Sequence, residues 1–341
     1  MRDASSRSTP ICTARRLLPA LLALAMAAAG CGGDSDETGL KGTIVISGSS
    51  TVEPISIGIA EVFDDNNPNV KISVDGPGTG DGFELFCQGD TDISDASRAI
   101  SEEEVESCRQ AGVEYLELKV ANDGLAVLTS PDNDRIGRCL SFSDIYALTG
   151  PESKNVDNWE EANELAAEVG GSKGAPFASA RLAITGPGEE SGTYDSFVEL
   201  VLAGIAEARG QEPQTRPDYQ ASADDNVIIQ GIGGSKTSFG WVGYAFYDAN
   251  RDQLKAFEVA GENGVCVAPS HETIADNSYP VSRPLFIYVN KAKLASKPAL
   301  RAFVEYYVSE RGLATAGEVG YVNLNPDEAA ATARAFEESG I

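Results

Sequence analysis

Residues 43–54 have the sequence TIVISGSSTVEP, in which an apolar segment is followed by a turn of glycine, serine and threonine. The apolar residues 43–46 are typical of a short strand, and Pro54 suits the first turn of a helix. Beyond it, apolar residues such as Ile59 and Phe63 recur at helical spacing. The stretch therefore predicts a strand, a tight turn and an amphipathic helix in succession.

The same alternation of strand and helix continues along the chain. Strand-like segments are expected at residues 70–74, 92–94, 115–128 with an interruption at 122–124, 181–185, 239–247 and 282–290. Helices are expected at residues 83–86, 101–112, 141–148, 191–205, 224–232, 298–311 and 326–338. Alternating strands and helices predict an α/β fold with largely parallel sheets.

The length and the net charge of the chain further restrict its domain organisation and its possible partners. A chain of 341 residues, 42% of them hydrophobic, is long for one core and suits two compact lobes. Since no linker rich in proline, glycine or serine separates two halves, we expect the chain to cross between the lobes more than once. The net charge of -26 argues against nucleic acid, whose phosphates it would repel.

The N-terminal residues have the features of an export signal. Arginines precede an apolar run at 17–29 that is too short to span a bilayer stably, and small residues precede Cys31. This pattern resembles a bacterial lipoprotein signal, so residues 1–30 are expected to be removed and Cys31 to be lipidated. Residues 31–41 would then form a flexible tether. The alternative is an ordinary secretory peptide with an incidental cysteine.

With Cys12 in the leader and Cys31 set aside, four of the six cysteines remain, and they indicate disulfides in an oxidising compartment. Four cysteines allow three connectivities, and we favour Cys87–Cys108 with Cys139–Cys266 because the first pair brackets one helix–loop–helix stretch. A zinc site is the rival interpretation, but the cysteines lack a close C-x-x-C pair and His271 is the sole histidine. No metal or cofactor is therefore expected.

Three glycine- and hydroxyl-rich turns, at residues 48–52, 78–82 and 186–193, each precede an expected helix. Helix N-termini present unpaired N–H groups and a partial positive charge, so three of them converging could bind an anion. Distant surface carboxylates would be screened beyond about 8 Å. Each turn alone could be an ordinary cap, and none has the lysine of a nucleotide-binding loop.

Arg98, in the segment DISDASR at residues 92–98, is a candidate cation for the same site. Arginine binds oxyanions bidentately. The alternative for Arg98 is a surface ion pair with residues 102–104, which are all glutamate.

Five segments together resemble the extracytoplasmic phosphate-binding proteins of ABC-type phosphate transporters. They are GSSTVEP at 48–54, FC at 86–87, DISDASR at 92–98, GPGEESGT at 186–193 and YPVSRPL at 279–285. The resemblance implies a two-lobe periplasmic-binding-protein fold of type II, each lobe a mixed, mainly parallel sheet flanked by helices. Lobe I would comprise residues 42–120 with 282–341, and lobe II residues 121–281.

The resemblance also implies a function and a set of contacts. The chain would bind inorganic phosphate with high affinity outside the cytoplasmic membrane and deliver it, as a lipid-anchored monomer, to the permease and ATPase of an ABC importer. The expected contacts come from Ser50, Thr51, the N–H of Val52, Thr79, Gly80, Ser97, Arg98, Ser191, Gly192 and Thr193. Other branches carry an arginine where this chain has Pro187, which leaves Arg98 as the candidate cation.

Phosphate keeps a proton near neutral pH, whereas sulfate does not, so a selective site should include a carboxylate acceptor. The candidates are Glu190, Asp95 and Asp81. Binding of another oxyanion, and a sensing or interaction role on the same fold, remain alternatives. Catalysis is not expected, because Ser191 has no candidate base nearby in sequence and His271 is isolated.

Overall fold

The computed structural model describes residues 39–189 and 191–340. The strands are β1 Gly42–Gly48, β2 Val70–Asp75, β3 Ile93–Ala96, β4 Tyr115–Thr129, β5 Cys139–Ser141, β6 Ala183–Pro187, β7 Gln220–Ser222, β8 Ser238–Gly243, β9 Lys255–Ala256, β10 Glu258–Ala260, β11 Cys266–Val267 and β12 Ser282–Asn290. The expected leader, the tether as far as residue 38, Cys31 and Glu190 lie outside the described residues.

The α-helices are α1 Glu53–Asn66, α2 Thr79–Gln88, α3 Glu102–Ala111, α4 Phe142–Thr149, α5 Asn163–Glu168, α6 Gly192–Phe197, α7 Ala203–Ala208, α8 Asp225–Gly233, α9 Tyr244–Ala249, α10 His271–Ala275, α11 Lys291–Ser296, α12 Pro298–Tyr307, α13 Glu310–Glu318 and α14 Pro326–Glu338. A π-helical turn, Val198–Leu202, joins α6 to α7. None of these described helices is long and apolar enough to cross a membrane.

The strands form a large mixed sheet in the order β2-β1-β3-β12-β4-β8-β6-β7, with β9 beside β4, and a small sheet β11-β10-β5. β1 runs parallel to β2 and β3, and β6 runs parallel to β7 and β8. β12 lies between β3 and β4 and is antiparallel to both. The predicted α/β class is confirmed, with two groups of parallel strands joined through an antiparallel centre.

Strand β4 corrects one sequence-based expectation. Asn122-Asp123-Gly124 was expected to interrupt the strand, but β4 continues through it for 15 residues. The backbone there is paired with β12, from Ser282 opposite Gly124 to Pro284 opposite Asn122. Gly124 also fits because a Cβ would lie 2.6 Å from the Ile274 side chain. Pairing and close packing therefore outweigh the low strand propensity of these residues.

Two other expected elements are divided. The expected strand 239–247 ends at Gly243, and α9 begins at Tyr244. The expected helix 298–311 ends at Tyr307, after which Ser309 caps a new helix by accepting from the Gly312 N–H. A serine cap can start a new helix inside an apolar periodic pattern, which periodicity alone does not reveal.

The hydrophobic residues form two main cores. One draws on residues 44–121 and 285–336, and includes Ile44, Phe303 and Tyr307. The other draws on residues 125–281 together with Val322, and includes Trp159 and Trp241. The main chain between the two cores passes along β4 and β12, which are adjacent antiparallel strands.

Both predicted disulfides are present. Cys87 of α2 is bonded to Cys108 of α3, 21 residues away, and Cys139 of β5 is bonded to Cys266 of β11, 127 residues away. The first ties α2 to α3, and the second holds two strands of the small sheet. The sequence-based pairing is confirmed.

Candidate functional site

A polar cleft of about 410 Å³ lies at the ends of β1 and β3, where α1 and α2 begin. Its described lining residues are mostly small or hydroxylic: Ser49, Ser50, Thr51, Gly76, Pro77, Gly78, Thr79, Gly80, Ser97, Arg98, Asp195 and Glu199. Six of the ten predicted contact residues are in this set: Ser50, Thr51, Thr79, Gly80, Ser97 and Arg98. Residues far apart in sequence are thus brought to one place.

The first turn is shaped by its closeness to β3. Gly48 has φ +150°, and a Cβ there would lie 2.1 Å from the Asp95 carbonyl oxygen, so only glycine fits. The Ser49 N–H donates to that carbonyl at 2.9 Å. Val52 is buried, and its N–H donates to the Ser49 carbonyl at 3.1 Å, so this predicted ligand contact is already partnered.

The second turn is joined to the DISDASR segment. Gly78 precedes α2 with φ +122°, and Thr79 is the first helical residue. Thr79 Oγ1 lies 3.0 Å from Ser97 Oγ and accepts from the Ser97 N–H at 3.2 Å. Two hydroxyl groups and the N-terminus of α2 therefore face the cleft together.

Arg98 lines the cleft, and it also forms an ion pair with Glu104, which was the alternative expectation for it. Its guanidinium donates to both carboxylate oxygens of Glu104 at 2.8 Å and stacks over Phe83, 5.7 Å from the ring centre. The side chain is 40% exposed, and the hydrogen bond to Glu104 raises its pKa. Among the described lining residues Arg98 is the one cation, and an anion in the cleft would have to compete with Glu104 for it.

The third turn, at residues 186–193, lies against the first. Of the residues that the structure describes, those predicted from this turn do not line the cleft, but two later residues of the chain do. Ser191 caps α6 by accepting from the Thr193 N–H, and a Cβ on Gly192 would lie 3.2 Å from the Ser50 carbonyl oxygen. The cleft instead receives Asp195 and Glu199. Asp195 accepts from Ser50 Oγ at 2.7 Å. Sequence reasoning missed both carboxylates, whose signal is their spacing of one and two helical turns after Ser191.

Arg283 is a third residue that sequence reasoning did not place in the site. It is 6% exposed, and its guanidinium donates to Thr51 Oγ1 at 3.1 Å, Ser196 Oγ at 2.9 Å and the Glu199 carboxylate. Asp123 Oδ2 lies 3.5 Å from its Nε. The available signal was a charged residue in the otherwise apolar strand β12, within the quoted segment YPVSRPL.

The candidate proton acceptors differ in their environments. Asp81 is exposed on α2, and Glu190 lies outside the described residues. Asp95 is fully buried on β3; its Oδ1 accepts from Ser56 Oγ at 3.0 Å, and its Oδ2 has no hydrogen-bond partner among the described residues. Burial raises the pKa of Asp95 to about 8, and the negative charges of Glu53 and Asp75 add to the effect, while Ser56 opposes it. Below that pH the Asp95 carboxyl carries a proton and can donate as well as accept.

Comparison with known proteins places these features in a family. A family model described as the PBP superfamily domain matches residues 34–311. Protein SphX of Synechococcus elongatus is 35% identical over 318 residues, which are 93% of this chain and 88% of that protein. The phosphate-binding protein PstS of Staphylococcus aureus strain USA300 is 34% identical over 297 residues, which are 86% of this chain and 82% of that protein.

A solved structure is similar over nearly its whole length. A possible phosphate-binding protein from Planctomyces limnophilus is 32% identical, with a TM-score of 0.77 over 88% of this chain and 99% of that chain. The likeness thus includes the arrangement of the strands and helices as well as the sequence.

Proposed function

This chain belongs to the PBP superfamily, in the family that includes the phosphate-binding protein PstS, and we propose that it binds inorganic phosphate and delivers it to an ABC-type importer. The observation that carries the proposal is the cleft itself. The N-termini of α1 and α2, the hydroxyls of Thr79 and Ser97, and the Arg98 guanidinium meet there without a metal ligand set among the described residues. Such donors suit an oxyanion.

The predicted α/β binding-protein fold is confirmed by the match to the Planctomyces limnophilus structure. Within it we propose that residues 42–120 with 282–341 form lobe I and residues 121–281 form lobe II. The two cores support this division, since one uses residues 44–121 and 285–336 and the other residues 125–281 with Val322. The hinge would then lie where β4 and β12 pass between the cores.

The proposed contacts come from both lobes. Lobe I would supply Ser50, Thr51, Thr79, Gly80, Ser97 and Arg98, with the N–H of Val52 shared between the Ser49 carbonyl and the anion. Lobe II would supply Ser191, Gly192 and Thr193, of which Gly192 lies beside the first turn. A rotatable hydroxyl can turn its proton towards an anion, so these side chains can replace water around phosphate.

Two carboxylates, Asp195 and Glu199, line the cleft, but the acidity of the rest of the chain does not oppose anion binding there. Helix N-termini and hydroxyls act only at short range, whereas exposed carboxylates further than about 8 Å are screened at physiological salt. Phosphate also brings a proton that needs an acceptor. Asp95, Asp81 and Glu190 are the proposed candidates. Because burial raises the pKa of Asp95 to about 8, its carboxyl could take the phosphate proton as an ionised group only above that pH.

Calorimetric titration tests the proposed function. Inorganic phosphate should bind with one site per chain and without turnover, and sulfate should bind far more weakly because it lacks a proton to donate. Arsenate and molybdate titrations complete the comparison. Small-angle scattering should show a smaller radius of gyration with saturating phosphate as the lobes close. Absence of phosphate binding by the folded protein would contradict the proposal.

We also propose that the chain is exported and held at the membrane by lipid on Cys31. Cys31→Ala should abolish lipidation and release the protein from the membrane fraction of the producing bacterium, since a lipid chain provides the anchor. Fractionation of cells expressing each form measures this. A control variant, Cys12→Ala, leaves Cys31 intact and should stay with the membranes. Equal membrane retention of the Cys31 variant would contradict the anchor.

A further inference from the structure

Arg283 occupies an unusual position for a charged residue. It stands near the start of β12, opposite Asp123 of β4, and only 6% of it is exposed. Burial of a guanidinium is costly unless its donors are used. Its donors reach Thr51, Ser196 and Glu199, and Thr51 and Glu199 both line the cleft.

These partners come from both sides of the proposed division. Thr51 belongs to the first turn, before α1, while Ser196 and Glu199 belong to α6 and the π-helical turn that follows. Thr51 Oγ1 and Ser196 Oγ also lie 3.2 Å apart. One terminal nitrogen, Nη2, therefore bonds a hydroxyl from each proposed lobe, close to the strands that connect them.

The chemistry of arginine decides what the hydroxyls can do. A guanidinium only donates, so the oxygens of Thr51 and Ser196 must be acceptors towards Arg283. Each hydroxyl proton then has to point elsewhere. The Ser196 proton has two acceptors within reach, Thr51 Oγ1 at 3.2 Å and the Asp123 carboxylate, so it needs no ligand. Because Thr51 lines the cleft, its proton is the one placed to reach an anion.

We propose that Arg283 is a positioning residue for the anion site, which holds Thr51 as a hydrogen-bond donor and links Thr51 to Ser196 across the proposed lobes in the free protein as well. The inference rests on the proposed function, because it takes the bound anion to be phosphate. Arg283 acts through Thr51 and need not touch the ligand. Lysine would keep the charge but has no planar fork that bonds two hydroxyls and a carboxylate at once.

Arg216 provides a matched control within the same chain. It is 4% exposed, pairs with Asp218 and donates to the Val156 carbonyl at 2.8 Å, so it is as buried and as well bonded as Arg283. It is absent from the described lining of the cleft. Arg216→Lys should therefore lower thermal stability in the way that Arg283→Lys does, without changing the anion site.

Calorimetry with inorganic phosphate compares wild type with three single variants and one double variant. The single variants are Arg283→Lys, Arg216→Lys and Thr51→Val, and the double variant combines Arg283→Lys with Thr51→Val. We expect Arg283→Lys to weaken binding at least tenfold and Arg216→Lys by less than twofold. The double variant should bind within about twofold of Thr51→Val, because residues that act through one group are not additive. Wild-type-like binding by folded Arg283→Lys, or fully additive losses, would overturn the inference.

A second measurement separates failure of this inference from failure of the proposed function. Without phosphate, small-angle scattering should give Arg283→Lys a larger radius of gyration than wild type, while Arg216→Lys should match wild type. If wild type fails to bind phosphate, the proposed function is wrong. The scattering comparison of Arg283→Lys with wild type then tests by itself whether Arg283 links the two lobes. If Arg283→Lys does not fold, Ser196→Ala removes the lobe II partner and should weaken phosphate binding about threefold; no change there would overturn the inference.

Discussion

Replacing Arg98 with alanine should weaken phosphate binding by about 30- to several-thousand-fold, which corresponds to about 2–5 kcal/mol for loss of a charged partner in a closed site. The reason is that Arg98 is the one cation among the described residues that line the cleft, beside the carboxylates of Asp195 and Glu199. Arg98→Lys should also weaken binding, because it keeps the charge but loses bidentate geometry. Calorimetry on the folded variants measures both effects.

Two control variants separate this role from that of a surface ion pair. Arg109→Ala removes a more exposed arginine that pairs with Glu106 on α3, and it should leave phosphate affinity unchanged. Glu104→Gln removes the present partner of Arg98 and should preserve or strengthen binding, since the anion no longer competes with a carboxylate. A change below about 1 kcal/mol in Arg98→Ala would mean that the pair with Glu104 is its whole role.

Asp95→Asn should remove a large pH dependence from the free energy of unfolding. Burial without a full set of partners raises the pKa of Asp95 from an ordinary 3.8 to about 8. The protonated carboxyl is therefore the form that the folded state favours. Its contribution to stability is fully present below pH 4 and is lost as the pH rises through about 8, by on the order of 5 kcal/mol over that window.

Denaturant unfolding of the phosphate-free protein between pH 4 and 9 measures this effect. The difference between wild type and Asp95→Asn cancels most other titrating groups, although Glu53 and Asp75 act on the same carboxyl. Asp92→Asn is the matched control, because Asp92 is equally buried but is ion-paired with Lys293 and Lys297. In Asp92→Asn the free energy of unfolding should still fall as the pH rises above 4, as it does in wild type. An unchanged pH profile in Asp95→Asn would contradict the assignment.

Short-range patterns in the sequence correctly predicted many of the elements, and they pointed to several residues that line the cleft. The Ser101 and Glu104 capping box starts α3, and the last expected helix, 326–338, is α14 without change. Periodicity and capping act over three or four residues, so a single segment contains all the information that they need. The glycine- and hydroxyl-rich turns were found for the same reason.

What the sequence determined by itself is the α/β class and the polar segments that carry Ser50, Thr79 and Ser97, since each depends on local spacing. For the cysteines it left three connectivities, and the favoured one is present in the structure. The tertiary structure alone decided which side chains fill the space between those turns. Arg283 bonds Thr51 across 232 positions, and Ser50 bonds Asp195 across 145. No local pattern encodes such contacts, because they depend on burial and on hydrogen-bond partners that only the folded chain brings together.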